Sequence, residues 1–521
     1  MFHKEQRRDA QGRVLTELAT EVHFAVGSGA RGRSYLVDRE GFLFQSPVSW
    51  YASKAIWDLT PGFQVIEHFD RPVQAECLFC HGNRVEPVEH TLNRYRPPLF
   101  RGSAIGCERC HGPGDLHVRF RERGEEVTGM DQTIVNPGRL EPGLRDAVCQ
   151  QCHLQGESRI VRRGRQLFDY RPGLPLSLFL SVFLRPAEVN EAQKAGSHAA
   201  QMAVSRCFRA SAGKLGCISC HDPHRLPAPA ERVAYYRRRC LSCHEEKACS
   251  LPLVRRRQQS PEDSCIDCHM PRGLSSNIAH TAVTEHRILR RPDSAARPSL
   301  SARRLRPGEV PLVHFHADQT DAQDKSVARD LGLGLARLAR EYPSLEKHVC
   351  PIALPLLEEA LGTGPDDVPA REERGYIFWR LDRKQEALEA FEEVLSRAPE
   401  REATLTYAAV LATAMERSRA AIAYWRRAIR VNPWTSPYHY QLARLLAQRQ
   451  EWQEATRACE TARRLNPASE EIRTLLVTCY IRMGDVDRAR SEFNTLLALN
   501  PANREVLQDW FMQQMRRPGS P

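Results

Sequence analysis

The first 270 residues of the chain contain six copies of the pattern Cys-x-x-Cys-His. The six cysteine pairs are Cys77/Cys80, Cys107/Cys110, Cys149/Cys152, Cys217/Cys220, Cys240/Cys243 and Cys265/Cys268. The histidines that follow them are His81, His111, His153, His221, His244 and His269. Two thiols at this spacing reach the two vinyl groups of one porphyrin, and the adjacent imidazole faces its iron. The pattern therefore predicts six covalently attached c-type haems, with these cysteines forming the thioethers and these histidines as proximal ligands.

Two other kinds of site also use paired cysteines. A zinc ribbon holds two such pairs, and the gap between Cys220 and Cys240 suits one. Zinc does not require a histidine directly after every second cysteine, and a thioredoxin-like redox site needs one pair rather than six. Only the haem interpretation accounts for the six histidines. Cys207 and Cys249 lie outside the motifs, and we expect them either to form a disulfide or to remain free thiols.

The elements that must hold these motifs can be outlined along the chain. Residues 1–65 alternate apolar and polar side chains around turns such as Glu40-Gly41, which predicts a β-containing N-terminal segment of the cytochrome domain. Residues 66–290 form the multihaem cytochrome region, with short helices and loops around the motifs. Residues 291–325 are rich in Pro, Arg, Ser and Asp and are typical of a linker. The expected fold class is mainly α, with this haem domain followed by an α-solenoid.

Residues 326–521 contain an internal repeat of 34 residues. Its register is carried by prolines at 365, 399, 433, 467 and 501 and by alanines at 353, 387, 421, 455 and 489. A small residue (Gly375, Ala409, Ala443) recurs where two helices would cross closely. The period resembles that of the tetratricopeptide repeat, a helix-turn-helix unit. We expect about five repeats, a degenerate first one with Pro355 inside its second helix, and a capping helix over 502–517.

Composition and charge narrow the class of protein. Aromatic residues make up only 7% of the chain, which fits a domain whose core is built largely from macrocycles. The formal charge of +11 would suit nucleic acid, but six haems would bring about 12 propionate charges. We expect basic runs such as 237–239 and 255–257 to pair with propionates, and no nucleic-acid partner.

The expected location is the periplasm or another extracytoplasmic compartment, because haem is attached covalently outside the cytoplasm. Residues 1–8 are polar and no apolar stretch of signal-peptide length follows them. We therefore expect the export signal to lie upstream of this chain. No stretch is long and apolar enough to predict a transmembrane helix.

The remaining histidines decide what the irons can do. A second imidazole on every iron favours electron transfer, whereas an open sixth position allows small-molecule chemistry. The candidate distal ligands are His23, His117, His198, His224, His280 and His286. His117 follows a Gly-Pro-Gly turn and His224 follows a proline, so either can reach a neighbouring iron. These six histidines are enough to give each of the six irons a second imidazole ligand.

The stretches Gly106–Gly114, Ser219–His224 and His280–Arg287 resemble a family of multihaem cytochromes c. The family is grouped with cytochromes that serve hydroxylamine oxidoreductase, and many members carry C-terminal tetratricopeptide repeats. The resemblance implies short helices and loops around a close-packed haem array, with His117, His198, His224 and His286 as distal ligands. Members of the family have an export signal and a further Cys-x-x-Cys-His upstream, so a seventh haem is expected if the gene continues upstream.

Three functions are compatible with these features. The first is an exported electron carrier whose repeats dock a redox protein, with no catalytic residues of its own. The second is a multihaem oxidoreductase that acts on a small nitrogen or sulfur oxyanion at an open haem. The third is a scaffold with structural or sensory haems. The electron carrier would have only low-spin haems, with reduction potentials in a range that a partner can use. This property would separate the first function from the other two.

Overall fold

The computed structural model describes residues 1–27, 29, 32–52, 54–63, 68–185, 198–245, 249–260, 262–272, 284–290, 305–321 and 324–516. The protein is mainly helical, as the sequence predicts, with a small N-terminal β-segment and a C-terminal run of repeat helices. Two compact units are present. The first comprises Met1–Cys77, Val85–Phe100 and Arg374–Pro521, and the second comprises Leu78–Arg84 and Arg101–Glu373.

The strands of the described ranges, in chain order, are β1 (Phe2–Arg8), β2 (Val14–Glu21), β3 (Phe24–Val26), β4 (Gly32–Arg39), β5 (Phe42–Gln45), β6 (Val48–Tyr51), β7 (Ile56–Leu59), β8 (Arg71–Pro72), β9 (Ser158–Val161), β10 (Leu180–Leu184) and β11 (Val313–His314).

The α-helices that precede residue 325 are α1 (Ala75–His81), α2 (Glu108–His111), α3 (Asp115–Glu122), α4 (Pro142–His153), α5 (His198–Val204), α6 (Arg206–Ala210), α7 (Cys217–Cys220), α8 (Arg232–His244), α9 (Leu253–Gln259) and α10 (Cys265–His269). Those that follow are α11 (Lys325–Glu341), α12 (Glu346–Thr363), α13 (Val368–Arg380), α14 (Lys384–Arg397), α15 (Glu402–Ala414), α16 (Ser418–Val431), α17 (Ser436–Gln448), α18 (Trp452–Leu465), α19 (Glu470–Arg482), α20 (Val486–Ala498) and α21 (Arg504–Met515).

The N-terminal β-structure of the first unit consists of the β1–β2 hairpin and a sheet of order β7-β6-β4-β5-β8, with β3 added against β4. Glu40 and Gly41 both take positive φ between β4 and β5, as a tight hairpin turn with the right-handed strand twist requires. Val37, Phe42 and Phe44 form a buried cluster against which Trp434 of the repeat region packs. The β-segment therefore packs against the repeat region.

The repeat helices reproduce the predicted period. Each recurrent proline lies two or three residues beyond the end of a second helix, since proline cannot continue that helix. The recurrent alanines at 387, 421, 455 and 489 are fully buried between helices. Pro355 does lie inside α12, as expected. The last repeat is closed by α21, where the ring of Phe511 stacks on Phe493 at 4.0 Å between centroids.

A positive backbone φ angle also recurs every 34 residues in the repeats, and this feature was not expected from the sequence. The turn between the two helices of a repeat holds a residue with positive φ at Asp382, Glu416, Gln450 and Gly484, again at intervals of 34. Only the last is a glycine, and the other three residue types do not by themselves indicate a left-handed backbone.

A buried carboxylate ties residues 90–93 to the repeats. Glu402, at the start of α15, is fully buried and accepts hydrogen bonds from the Leu92 amide (2.9 Å) and the Asn432 side chain (2.8 Å). Its own amide donates to the His90 carbonyl at 2.8 Å. The Tyr438 hydroxyl lies 3.1 Å from the same carboxylate. With no cation bonded to it in the described structure, burial raises the pKa of Glu402.

The second unit is organised around the sheet β11-β10-β9 and helix α11. Arg329 of α11 is buried and bonds Asp367, Asp330 and the Val161 carbonyl, so each of these buried charges has an opposite charge beside it. Part of the segment predicted as a linker forms β11, which pairs with β10. Between the motif-bearing helices, Phe79, Tyr170 and Phe179 lie in one apolar cluster.

Among the described residues, none of the helices is long and apolar enough to cross a membrane.

We predict that Gly375→Ala destabilises the repeats. A Cβ at this position would lie 2.7 Å from a ring carbon of Phe391, a contact that the packed helices can relieve only by moving apart. Overpacking of this kind costs about 1–3 kcal/mol. Denaturant unfolding followed by circular dichroism measures the loss. Gly362→Ala is the matched control, because nothing lies within 4 Å of its Cβ and alanine favours the helix; equal midpoints for the two variants would contradict the packing account.

We also predict that Glu402→Ala releases residues 90–93. The substitution leaves buried donors on Leu92, Asn432 and Tyr438 without their acceptor, at a cost of about 1–3 kcal/mol for each stranded group. Hydrogen exchange at the Leu92 amide should become much faster. Glu400→Ala, an exposed neighbour, should leave it unchanged. Unaltered protection in the Glu402 variant would show that the carboxylate does not hold this segment.

Candidate functional site

Each Cys-x-x-Cys-His motif lies at the end of a helix. The histidines of five motifs are the last residues of α1, α2, α4, α8 and α10, and His221 directly follows α7. Cysteines three residues apart then share one helix face, and the histidine begins the next turn beside them. This local geometry presents two thiols and one imidazole toward the same side, which is what attachment of one macrocycle requires.

The motifs approach one another closely within the second unit. Thiols of different motifs form three hydrogen-bonded pairs: Cys80 with Cys152, Cys149 with Cys217, and Cys240 with Cys265. The bond from Cys152 lowers the pKa of Cys80 to about 6, and the bond from Cys240 lowers the pKa of Cys265 to about 6. Thiols of the first, third and fourth motifs are thus linked by contact, as are those of the last two.

Three motif cysteines differ from the others because they are exposed: Cys77, Cys107 and Cys243. The fifth motif shows the difference within one helix, since Cys240 bonds Cys265 while Cys243, one turn later on α8, faces solvent. Vinyl groups lie on the rim of a porphyrin, so a thioether can form at the edge of a site. The thioether role of all twelve motif cysteines stays a prediction.

The thiols do not form the arrangement that bare zinc needs. A structural zinc site gathers four Cys or His ligands around one point. Across the described ranges, His, Cys, Asp and Glu side chains form no group of three or more that could hold a metal ion. A c-type haem instead takes two thiols as thioethers and one adjacent imidazole, and the motifs supply this donor set. The donor set of the motifs fits the haem.

Several motif histidines are oriented by backbone carbonyls. The Nδ1 of His111 donates to the Val135 carbonyl at 2.8 Å, and the Nδ1 of His269 donates to the Leu289 carbonyl at 2.6 Å. A neutral imidazole that donates from Nδ1 carries its free lone pair on Nε2. Hydrogen bonds of this kind fix the tautomer and the ring orientation of metal-bound histidines. The two rings are therefore prepared to bind iron through Nε2.

Three of the expected distal histidines lie against motif histidines. The His224 ring lies 5.9 Å from the His111 ring between centroids, with 12° between their planes. His198 lies 5.5 Å from His153 at 53°. His286 lies 6.2 Å from His221 at 26°.

The other three expected distal histidines are placed differently. His117 bonds Asp131 (3.0 Å) and Thr133 (3.1 Å) through its Nδ1. His23 belongs to the first unit, where its Nδ1 accepts a hydrogen bond from the Asp38 amide at 3.1 Å. His280 lies outside the described residues.

Two buried histidines in the segment predicted as a linker were not expected as site residues. Neither ring nitrogen of His314 has a hydrogen-bond partner, and His316 is bonded only through Nε2, to Gln150 at 2.9 Å. Burial lowers the pKa of His316 to about 4. Gln150 lies inside the third motif, so His316 touches the site. The pattern His-x-His after a polar stretch was the signal available in the sequence.

The basic residues and the two extra cysteines complete the surroundings of the motifs. Arg237 and Arg256 both pair with Asp263, at 2.5 and 3.4 Å, so these two guanidinium groups share one carboxylate within the chain. Their neighbours Arg238 and Arg255 are exposed. Cys207 and Cys249, like the motif cysteines, carry free thiols in the structure, and the disulfide expected as one of their two states stays a prediction.

Comparison with known proteins identifies both kinds of repeat. A family model described as a doubled CXXCH motif matches residues 210–249. Tetratricopeptide repeat models match residues 350–402, 408–470 and 446–508. No curated protein matches the chain.

Solved structures similar to this chain cover only part of it. MamA MSR-1 is 18% identical over 34% of this chain and 96% of its own, with a TM-score of 0.30. A crystal structure of MamA protein is 16% identical over 34% of this chain and 94% of its own, also with a TM-score of 0.30. Neither score is high enough to identify a function. The chain thus contains tetratricopeptide repeats, which serve protein–protein interaction, and a paired haem-binding motif of the cytochrome c type.

Proposed function

We propose that this protein is an exported multihaem c-type cytochrome that carries electrons through six covalently attached haems, and that its repeats dock a redox protein. The observation that carries the proposal is the combination of six complete motifs with second imidazoles facing three of their histidines. Bis-histidine iron has no open site and exchanges electrons without binding a substrate. The proposed family is the multihaem cytochromes associated with hydroxylamine oxidoreductase.

The electrostatics of the site are compatible with this role. Partial burial lowers the pKa of His286 to about 4, so its imidazole is neutral and able to bind metal at physiological pH. The exposed guanidinium groups of Arg238 and Arg255 beside the motifs are available to propionates. When bound, the haems would supply one-electron redox chemistry. The chain's own residues would hold them, set their axial ligands and screen their charge.

The proposed location follows from the chemistry of attachment. Thioether formation with haem takes place outside the cytoplasm, so a chain with six such sites should be exported. Docking is assigned to the repeats because tetratricopeptide solenoids present a continuous binding surface along stacked helices. Residues 90–93 already contact the repeat helices that carry Glu402 and Tyr438. We therefore place the docking surface on the other repeat helices.

We predict that the chain, produced with a cytochrome c maturation system, has the mass of the polypeptide plus six haems. The double variant Cys107→Ser/Cys110→Ser should lose one haem, because both thioethers of the second motif are removed. Cys207→Ser/Cys249→Ser is the matched control and should keep all six, since neither thiol belongs to a motif. Mass spectrometry of the intact protein gives the count. A wild-type chain that carries zinc and no haem would overturn the proposal.

We also predict that reductive titration consumes six electrons per chain, with every ferric haem low-spin and unchanged by cyanide or nitrite. In the proposed bis-histidine state, each iron would have two imidazoles and no exchangeable position for either anion. Optical and electron paramagnetic resonance spectra during the titration measure both properties. A high-spin haem that binds nitrite would favour the oxidoreductase, and haems that do not titrate would favour the scaffold.

A further inference from the structure

The second helices of two successive repeats, α16 and α18, present equivalent outer faces side by side. The two helices are neighbours, because Arg426 of α16 pairs with Glu454 of α18 at 2.6 Å. The outer face of α16 consists of positions 419, 423, 426, 427 and 430, which share one side of a helix by their spacing and are mostly exposed. The same positions recur 34 residues later on α18. The two faces therefore form one continuous surface.

This surface carries an excess of arginine. Helices α16 and α18 contain seven arginines and only two acidic residues. Two of the arginines have carboxylate partners, Arg426 in Glu454 and Arg463 in Glu492. Among the described residues, no carboxylate pairs with the other five, which are Arg419, Arg427, Arg430, Arg457 and Arg464. The surface thus has several guanidinium groups whose charge the chain itself does not balance.

The excess of positive charge is local to these two helices. The equivalent helix of the preceding repeat, α14, has glutamate at three of the same five positions (389, 392 and 393). In the following repeat, α20 has two arginines and two acidic residues. An ordinary solvated surface mixes both signs of charge in this way. The surface of α16 and α18 differs from it, which indicates an anionic partner.

An open pocket on α18 offers a place for one acidic side chain of that partner. Its lining consists of Arg457, Glu460, Thr461, Arg463 and Arg464. The carboxylate of Glu460 is already engaged, by the Tyr480 hydroxyl at 2.8 Å and by Arg488 at 3.7 Å. A carboxylate that enters this pocket therefore meets three guanidinium groups, and hydrogen bonds between such charged groups are stronger than neutral ones.

We infer that the outer faces of α16 and α18 are the docking surface for an acidic redox protein, whose carboxylates pair with the five guanidinium groups that lack one. This inference rests on the proposed function and adds the place and the chemistry of the partner. Charge complementarity carries it, because arginine forks match carboxylates in paired hydrogen bonds. Tetratricopeptide repeats serve protein–protein interaction, which favours a protein over a membrane or a nucleic acid as the anionic partner.

Docking of this kind acts mainly on the rate of encounter. Complementary charges steer two proteins together, and the effect weakens as salt screens them. In the docked complex one electron leaves the reduced partner and converts one ferric haem to ferrous, and no atom is transferred. The rate of haem reduction by an acidic donor should therefore depend on these arginines and on ionic strength.

The test uses the haem-loaded full chain and reduced plant-type ferredoxin, an acidic one-electron donor with a potential near −400 mV. Stopped-flow absorbance gives the second-order rate constant for haem reduction, and calorimetry gives the affinity. At low ionic strength, Arg430→Glu/Arg464→Glu should lower both by about tenfold or more, and high salt should remove the difference. The matched control is Arg490→Glu/Arg504→Glu, which makes the same change in net charge on α20 and α21 and should have little effect.

Equal losses in the two double variants would overturn the inference, because the effect would then follow net charge and not this surface. An unchanged ferredoxin rate in Arg430→Glu/Arg464→Glu would also overturn it. If that variant instead lost binding to phosphatidylglycerol vesicles, or dissociated a dimer in sedimentation, the occupant would be a membrane or a second copy of the chain. If it does not fold, Arg430→Gln/Arg464→Gln should give a smaller loss, and an unchanged rate there would contradict docking. Absence of covalent haem from the wild type would reject the proposed function, while calorimetry would still measure docking.

Discussion

The haem region depends on one covalent constraint, the attachment of two cysteines and one histidine at the end of a short helix. Helices α2 and α7 each have four residues and no buried side chain. Isolated helices shorter than about 12 residues are marginal in water, so neither propensity nor packing explains these elements. In the proposed holoprotein, thioether bonds to a rigid macrocycle would hold them.

The repeats obey a different constraint, the close packing of helices in a fixed 34-residue register. Gly375 lies against the Phe391 ring, and the recurrent alanines are buried between helices. Here stability comes from side chains alone, which is why the pattern is so regular. The buried Glu402 adds a polar link that ties residues 90–93 into the same unit, with uncharged donors as its partners. A carboxylate of this kind is tolerated only because its hydrogen bonds are supplied.

Much of this organisation could be predicted from the sequence because it depends on residues that recur at fixed spacings. The repeats, their capping helix, the hairpin turn at Glu40-Gly41 and the donor set of the motifs all follow from local patterns. The bonds of Glu402 to Leu92 could not be predicted, since they join residues about 300 positions apart and no local signal marks either partner. The same holds for β11 and the buried His314, which lie in a stretch whose composition is typical of a linker. Pairing of imidazoles is a tertiary property, and it is visible only once His224 and His111 are brought together.

The central claim is that the six motifs hold six haems as covalent, histidine-bound groups. An experimental structure of the chain isolated with its cofactors tests this most directly. The account predicts, at every motif, a macrocycle joined to both cysteines, with the adjacent histidine bound to its iron. A motif whose cysteines instead bind zinc, form a disulfide or remain free beside an unattached haem would contradict it.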